Sequence, residues 1–261
     1  MAEDKIESLD DLIGLVRGIS KEEKIHPHIR WWWRGQADKD WKLHPGVYRP
    51  NFPAKAEWEK IQLENQLAQD FRVESAGLIE GSNEHDKLYF LEQHYGLPTR
   101  LLDWTTNPLA ALFFVCLELE KVDGALFFMD AYQLAVTQNT KDKGYQGVVT
   151  MRHRAFQKAL KTICTWAPKP WGFPDFIMAL RPDYSDLRIV LQRSCFTFHV
   201  PTKEELTLAH NGSLKKYTVP SSAKKTLLHE LILLGVDEFS IYGDLDHLAS
   251  RLKRAHKIPK S

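Results

Sequence analysis

Six consecutive residues, Trp31-Trp32-Trp33-Arg34-Gly35-Gln36, constrain the fold of this chain more than any other stretch. The β-branched and aromatic run from Ile29 to Gly35 predicts a strand that stops at or just past the glycine. Alternation along it sends Trp31 and Trp33 to one face, and Trp32 and Arg34 to the other. Arg34 is then a cation on a largely buried strand, and it demands an anionic partner: either a core carboxylate such as Asp103 or a ligand. Gly35 leaves room for a ligand to approach the backbone. The tryptophans are either core or a stacking surface for a planar ring.

A second stretch, Gln93-His94-Tyr95-Gly96-Leu97-Pro98-Thr99-Arg100-Leu101-Leu102-Asp103-Trp104-Thr105, gathers polar groups beside aromatics. It begins at the end of an expected helix from about Asn83 to Tyr95, with Leu88, Leu91 and Tyr95 in phase and Gly96 then Pro98 as stop signals. Thr99, Arg100 and Asp103 are expected on the loop that follows. Thr105-Thr106-Asn107-Pro108 then supplies cap candidates for a buried helix from Asn107 to about Glu120, whose first amides favour an anion. The bland alternative for His94-Tyr95 is an aromatic pair that packs a helix end. Polar residues on a loop between buried helices are where function collects, so the two stretches are expected to wall one site.

The chain of 261 residues, 43% hydrophobic and 26% charged, has room for a full core and the composition of a globular domain. Its 35 Lys+Arg against 34 Asp+Glu give no long-range attraction to polyanions, which leaves only a local basic groove for such partners. Cys116, Cys164 and Cys195 are far apart in apolar surroundings, the pattern of buried thiols in a reducing compartment. Eleven histidines show no metal-ligand spacing, so no metal is expected. The polar N-terminus lacks a signal-peptide profile, and the apolar run Leu109 to Leu117 is too short to span a bilayer. A cytoplasmic protein without membrane contact is the expectation.

Along the rest of the chain, Ser8 is expected to cap an amphipathic helix with Leu9, Leu12, Ile13 and Val16 on its inner face. Trp41 to Pro53 reads as an ordered loop, and Trp58, Ile61, Leu67 and Phe71 as one face of a long helix ending near Gly77. Strands are expected at Ala125 to Met129, Phe176 to Leu180, Cys195 to Val200, Lys215 to Val219 and Val236 to Tyr242. Met151 to Trp166 reads as a basic helix whose charges form a solvated face. Ser221 or Ser222 is expected to cap a helix through Leu234, stopped by Gly235, and a final amphipathic helix is expected from Asp244 to His256. Glu238, at the start of the last strand beside Asp237, reads on its own as an exposed acidic turn. The sum is a single compact α+β domain with a small central sheet flanked by helices. Residues 1–27 form a lead-in helix packed on it, 28–255 the domain, and 256–261 a polar tail.

Trp33-Arg34-Gly35-Gln36, together with the run from Leu91 through Phe114, strongly resembles the FRG domain, a family of bacteria and their phages named for an aromatic-Arg-Gly motif. Trp33 stands where the family name has Phe. Arg188 to Gln192 with Phe196, and Gly235 through Asp246, also look familial. There the family commonly shows glutamine-glycine before the phenylalanine, whereas this chain has Gln192-Arg193-Ser194-Cys195. The aromatic-Arg-Gly strand is in turn similar to the first strand of ADP-ribosyltransferases, where an arginine or histidine followed by glycine holds NAD.

That resemblance implies an ADP-ribosyltransferase-like fold and an NAD-dependent ADP-ribosyltransferase or NAD glycohydrolase acting as a toxin or phage-defence effector. NAD would be the substrate, with no metal. Arg34, Asp103 and Glu238 would be catalytic, Glu238 by analogy with the glutamate those enzymes carry on a late strand. Trp33, Gly35, Gln36, His94, Tyr95, Arg100, Thr105 and Asn107 would bind the nucleotide, whose acceptor is a protein or nucleic acid target or water. The alternative is a non-catalytic nucleotide- or nucleic-acid-binding module using the same Arg-Gly cleft.

Overall fold

In the computed structural model, seven strands form one sheet in the order β4-β5-β6-β2-β1-β3-β7. The structure describes residues 4–20, 30–79, 85–137, 147–164, 176–183, 187–199, 206 and 212–258. In chain order the elements are α1 (Leu9–Ser20), β1 (Trp31–Gln36), α2 (Glu57–Glu74), α3 (His85–His94), β2 (Leu101–Thr105), α4 (Pro108–Leu117), β3 (Gly124–Asp130), α5 (Ala131–Thr137) and β4 (Val149–Thr150). They continue with α6 (Arg154–Cys164), β5 (Ile177–Arg181), α7 (Leu187–Leu191), β6 (Ser194–His199), β7 (Leu214–Val219), α8 (Ser221–Leu233), α9 (Glu238–Tyr242) and α10 (Leu245–Ala255). Only β4 and β5 run parallel; the other neighbours are antiparallel. The expected α+β architecture, one sheet flanked by helices, holds.

Register sorts the side chains into two faces. Trp33 lies opposite Phe128 on β3 and Thr105 on β2; Thr105 lies opposite Ser194 on β6. On this face Trp31, Trp33, Leu126 and Phe128 pack under α1, α4 and α8, while Leu101, Met178, Leu180, Phe196 and Phe198 pack under α3 and α6. The opposite face carries Trp32, Leu102, Trp104, Phe127 and Ile177 against Leu134 of α5 and the loop residue Leu43. Burying a large apolar side chain contributes roughly 1.5–3 kcal/mol, so both faces are strongly specified. Two helical groups therefore share one face of the sheet, and the strip between them, over β1, β2 and β6, is left open.

Helix α4 comes unusually close to the sheet. A Cβ on Gly35 would run into the carbonyl oxygen of Ala111 and stand 2.9 Å from Val115 Cγ2. Gly35 therefore serves helix packing, since the space an added side chain would need is taken by α4.

Four local expectations are corrected. Residues 101–105 form a central strand and not a loop, because Leu101, Leu102 and Trp104 have buried partners on both faces. Residues 238–242 form a helix and not a strand: Asp237 accepts from the Ser240 amide at 2.8 Å and Ser240 Oγ from the Asp237 amide at 2.9 Å. That reciprocal cap starts a helix, and Gly243 at φ 70° ends it. Along α1, Leu9, Leu12, Leu15 and Ile19 face the core, whereas Ile13 and Val16 are exposed, so the apolar stripe is rotated from the expected one. Trp58 is exposed on α2, whose buried face carries Lys60, Ile61, Glu64 and Asn65 instead.

Some expectations hold in detail. Asn107 caps α4, its Oδ1 accepting from Leu109 N at 3.1 Å. Gly96 and Gly235 close their helices at φ 83° and 82°. The serine cap expected for α8 does not form: Pro220 takes the cap position, and the Ser221 amide donates to Asp123 Oδ1 at 2.9 Å instead. The expected helix start at Asn83 and end at Trp166, and Val200, fall outside the described residues.

Candidate functional site

The open strip is part of a cleft of about 940 Å³ whose lining also takes in Arg34 and Gln36, which alternate with Trp33 and Gly35 along β1. Strands β1, β2 and β6 floor it, α3 and the C-terminal half of α4 wall it, and the 40–51 loop, α7 and Tyr242 of α9 complete the rim. Its position follows from a fork in the sheet. Strands β1 and β2 pair at one register position, Trp33 with Thr105. Beyond it Gly35 is drawn onto α4, and the guanidinium of Arg34 reaches across, Nη1 donating to the Asp103 carbonyl at 2.7 Å.

Arg34 is a deeply set cation of this cleft, its side chain 13% exposed. The nearest carboxylate oxygen, Asp103 Oδ2, is 3.9 Å away on a side chain that is 52% exposed. That carboxylate is held by Gln93, whose Nε2 donates to Oδ2 at 2.8 Å and whose Oε1 accepts from Thr99 Oγ1 at 2.5 Å. Arg34 Nε is buried with no hydrogen-bond partner. Burial lowers the Arg34 pKa to about 10; Asp103 opposes the shift and Arg49 adds to it. The group is still a full cation at neutral pH, in a setting where an unmatched N–H and a charge both favour an incoming anion.

Arg49, Lys42 and Arg188 add positive charge to the lining, against the carboxylates of Asp40, Asp103 and Glu118. The excess is one charge by count, but the buried member is Arg34 and the Asp103 carboxylate is exposed, so the interior of the cleft is cationic. Arg188 ties the rim together: Nη1 donates to the His94 carbonyl at 3.2 Å, and its guanidinium lies 4.6 Å from the Tyr242 ring. Tyr242 stacks on His247 with centroids 3.9 Å apart. Anion-pairing groups beside aromatic faces suit a ligand with phosphate at one end and a planar ring at the other.

Of the residues expected from sequence, Trp33, Arg34, Gly35, Gln36, His94, Asp103 and Thr105 line this cleft. Four do not. Tyr95 is exposed and leans on Phe71. Asn107 is occupied in capping α4, and the cleft meets the far half of that helix instead. Arg100 is wholly buried beneath α2: Nε pairs with Glu64 Oε2 and Nη1 with Glu57 Oε1, each at 2.7 Å, and Nη1 also meets Tyr48 Oη. Glu238 is buried at the first turn of α9 and pairs with Arg254 of α10. It is on no strand, so the analogy with a late-strand glutamate loses its structural basis.

Sequence reading missed Arg49, Arg188, Gln192 and Tyr242. Arg188 and Gln192 sat inside a segment noted as familial, yet nothing in their spacing connects them to β2. The link is tertiary: Thr105 Oγ1 donates to the Gln192 carbonyl at 2.5 Å. Cys116 and Cys195 are buried, and burial raises the pKa of both thiols, the former to about 12, so neither supplies a thiolate nucleophile. Among the described residues no three His, Cys, Asp or Glu side chains group as metal ligands, and no helix is long and apolar enough to cross a membrane.

The model of the FRG domain matches residues 29–124, the stretch that supplies β1, α2, α3, β2 and α4 and with them Arg34, His94, Asp103 and Thr105. The FRG resemblance of the sequence is thereby confirmed over this stretch. No curated protein and no solved structure matches the chain.

Proposed function

We propose that the cleft binds NAD and that the protein consumes it, by ADP-ribosyl transfer or by hydrolysis. The observation that carries this reading is the Arg34 guanidinium, set at a fork in the sheet in the lining of a cleft of nucleotide size, with its buried Nε unpartnered. Arg34, with Arg49, would pair with the diphosphate, and an aromatic wall would accept the nicotinamide ring. Asp103 is the carboxylate nearest Arg34, on the other side of the fork. In the reaction the bond between ribose C1′ and the nicotinamide nitrogen breaks, and its electron pair leaves with neutral nicotinamide. The sugar cation so formed is stabilised by the Asp103 carboxylate until water or a target nucleophile adds to C1′ and gives up a proton. A toxin or phage-defence role rests on the FRG resemblance and would express that NAD loss in a cell.

A second reading, nucleotide binding without chemistry, is favoured by one observation. Asp103 Oδ2 already accepts from Gln93, and Glu238 is committed to Arg254 outside the cleft, so the carboxylates singled out for catalysis are both engaged.

One experiment separates the two. The purified protein is incubated with NAD labelled in the adenylate moiety, with and without cell extract, and nicotinamide release and label transfer are followed. NAD consumption that disappears in Arg34→Ala and Asp103→Asn is the expected outcome. Tight NAD binding with no nicotinamide released would replace the enzyme reading by the binding one, and no binding at all would remove both.

A further inference from the structure

Three residues of the cleft lining each carry a buried side-chain atom without a hydrogen-bond partner: Arg34 Nε and Gln192 Nε2, which are donors, and Gln36 Oε1, an acceptor. Such groups are costly to leave unmatched, and native interiors leave few of them. Gln36 is only 5% exposed, and its other amide atom is held at long range, Nε2 to the Lys42 carbonyl at 3.5 Å.

Gln192 is the most elaborately held of the three. It directly follows α7, its amide donating to the Arg188 carbonyl at 2.9 Å. Its carbonyl accepts from Thr105 Oγ1 at 2.5 Å, which fastens it to β2. The next residue, Arg193, adopts φ 48°, a left-handed conformation that a side chain disfavours, and is pinned by its amide to Val190 O and by its carbonyl to Thr106 N, at 3.1 and 3.2 Å. Strain of this kind persists only where the surroundings over-determine it, and it accumulates at ligand sites. Here the turn fastens Gln192 to Thr105 next to its β6 partner Ser194, while Arg34 follows Trp33, the β1 partner of the same residue.

Resting on the reading of the cleft as a nucleotide site, we infer that Gln192, with Arg34 and Gln36, binds the phosphate–ribose segment of the ligand rather than its base. Two donors on either side of one strand meet the acceptor oxygens of a phosphorylated sugar. The lone acceptor, Gln36 Oε1, takes a hydroxyl hydrogen from the sugar. A bare phosphate chain offers oxygens but, when ionised, no hydroxyl donor, so the set selects a sugar phosphate. Gln192 is a binding residue in this scheme and takes no part in bond breaking.

The test is calorimetric titration of the full chain with ADP-ribose and, separately, inorganic diphosphate, accompanied by thermal melting of each variant. Gln192→Ala and the same-shaped Gln192→Glu, which puts an acceptor and a negative charge where the donor was, should weaken ADP-ribose binding by about tenfold and by more than tenfold respectively. Neither should lower the melting temperature materially. Gln36→Leu should weaken ADP-ribose but not diphosphate. Wild-type protein that binds ADP-ribose while both Gln192 variants bind it equally well would overturn this inference and leave the nucleotide reading standing. Tighter binding by Gln192→Glu would also overturn it. Wild-type protein that binds neither probe would remove the nucleotide reading, and this inference with it.

Discussion

Arg100 and Arg34 are both set into the protein, on opposite terms. Arg100 is fully enclosed, yet Glu57, Glu64, Tyr48 and the aromatic face of Tyr48 surround its guanidinium, and these acidic neighbours raise its pKa despite the penalty of burial. Arg34 receives one backbone carbonyl and a carboxylate 3.9 Å off, and burial wins, lowering its pKa. Each has a buried nitrogen without a partner, Nη2 of Arg100 and Nε of Arg34, but of the two residues only Arg34 belongs to the cleft lining. A buried arginine matched by its own protein is a fastener; one left under-matched at an opening is a binding group.

The contrast is most severely tested by removing each charge. Arg100→Met should destabilise the fold by about 3–5 kcal/mol, since it strands the carboxylates of Glu57 and Glu64. Chemical denaturation would measure this, and a loss below ~1 kcal/mol would break the comparison. Arg34→Ala should behave oppositely: nucleotide affinity falls by roughly tenfold to a hundredfold, as for a hydrogen bond to a charged group, with a smaller change in stability. Calorimetry and melting on the same sample decide it.

Gly35→Ala sharpens the Arg34 side. Its Cβ meets the Ala111 backbone, which has little freedom to yield, so a loss of about 1–3 kcal/mol is expected, with weaker ligand binding as the fork shifts. Unchanged stability would mean that α4 is not seated where described.

The smallest effect concerns the Arg100 side. Burial, with repulsion from Glu64, raises the Glu92 pKa to about 8 from the usual 4.5. The folded protein therefore holds this proton over a range where the unfolded chain releases it, and the contribution to stability falls as pH rises from 4.5 towards 8. Glu92→Gln should remove that fall, so its melting temperature minus that of wild type should grow from pH 5 to pH 8. A constant difference would show that Glu92 titrates normally.

The sequence carried the local part of this architecture well. The Trp31 to Gln36 strand, the cap at Asn107 and the helix stops at Gly96 and Gly235 are written in a few adjacent residues, where propensity and backbone sterics act. Arg34 was recognisable because a cation in an aromatic strand has few explanations. Arg100 looked equivalent in sequence, since Glu57 and Glu64, which satisfy it, lie 43 and 36 residues earlier on a separate helix. Gln192 was invisible for the same reason, its anchor Thr105 being 87 residues away. Glu238 misled because Val236 to Tyr242 has the composition of a short strand, and the reciprocal Asp237–Ser240 cap outweighed it.

The fork between β1 and β2 makes the sheet mechanically two plates. On one side of it lie β1, β3 and β7 with their helices, and on the other β4, β5, β6 and β2. At the join, the single register pair Trp33 with Thr105 is reinforced by a side-chain tie from Arg34 to Asp103. A ligand that engages Arg34 and Gln192 together would clamp the plates from both sides of that seam. Its arrival would then register at the seam itself, as slowed amide hydrogen exchange in residues 33–36 and 103–106, while the outer strands kept their rates.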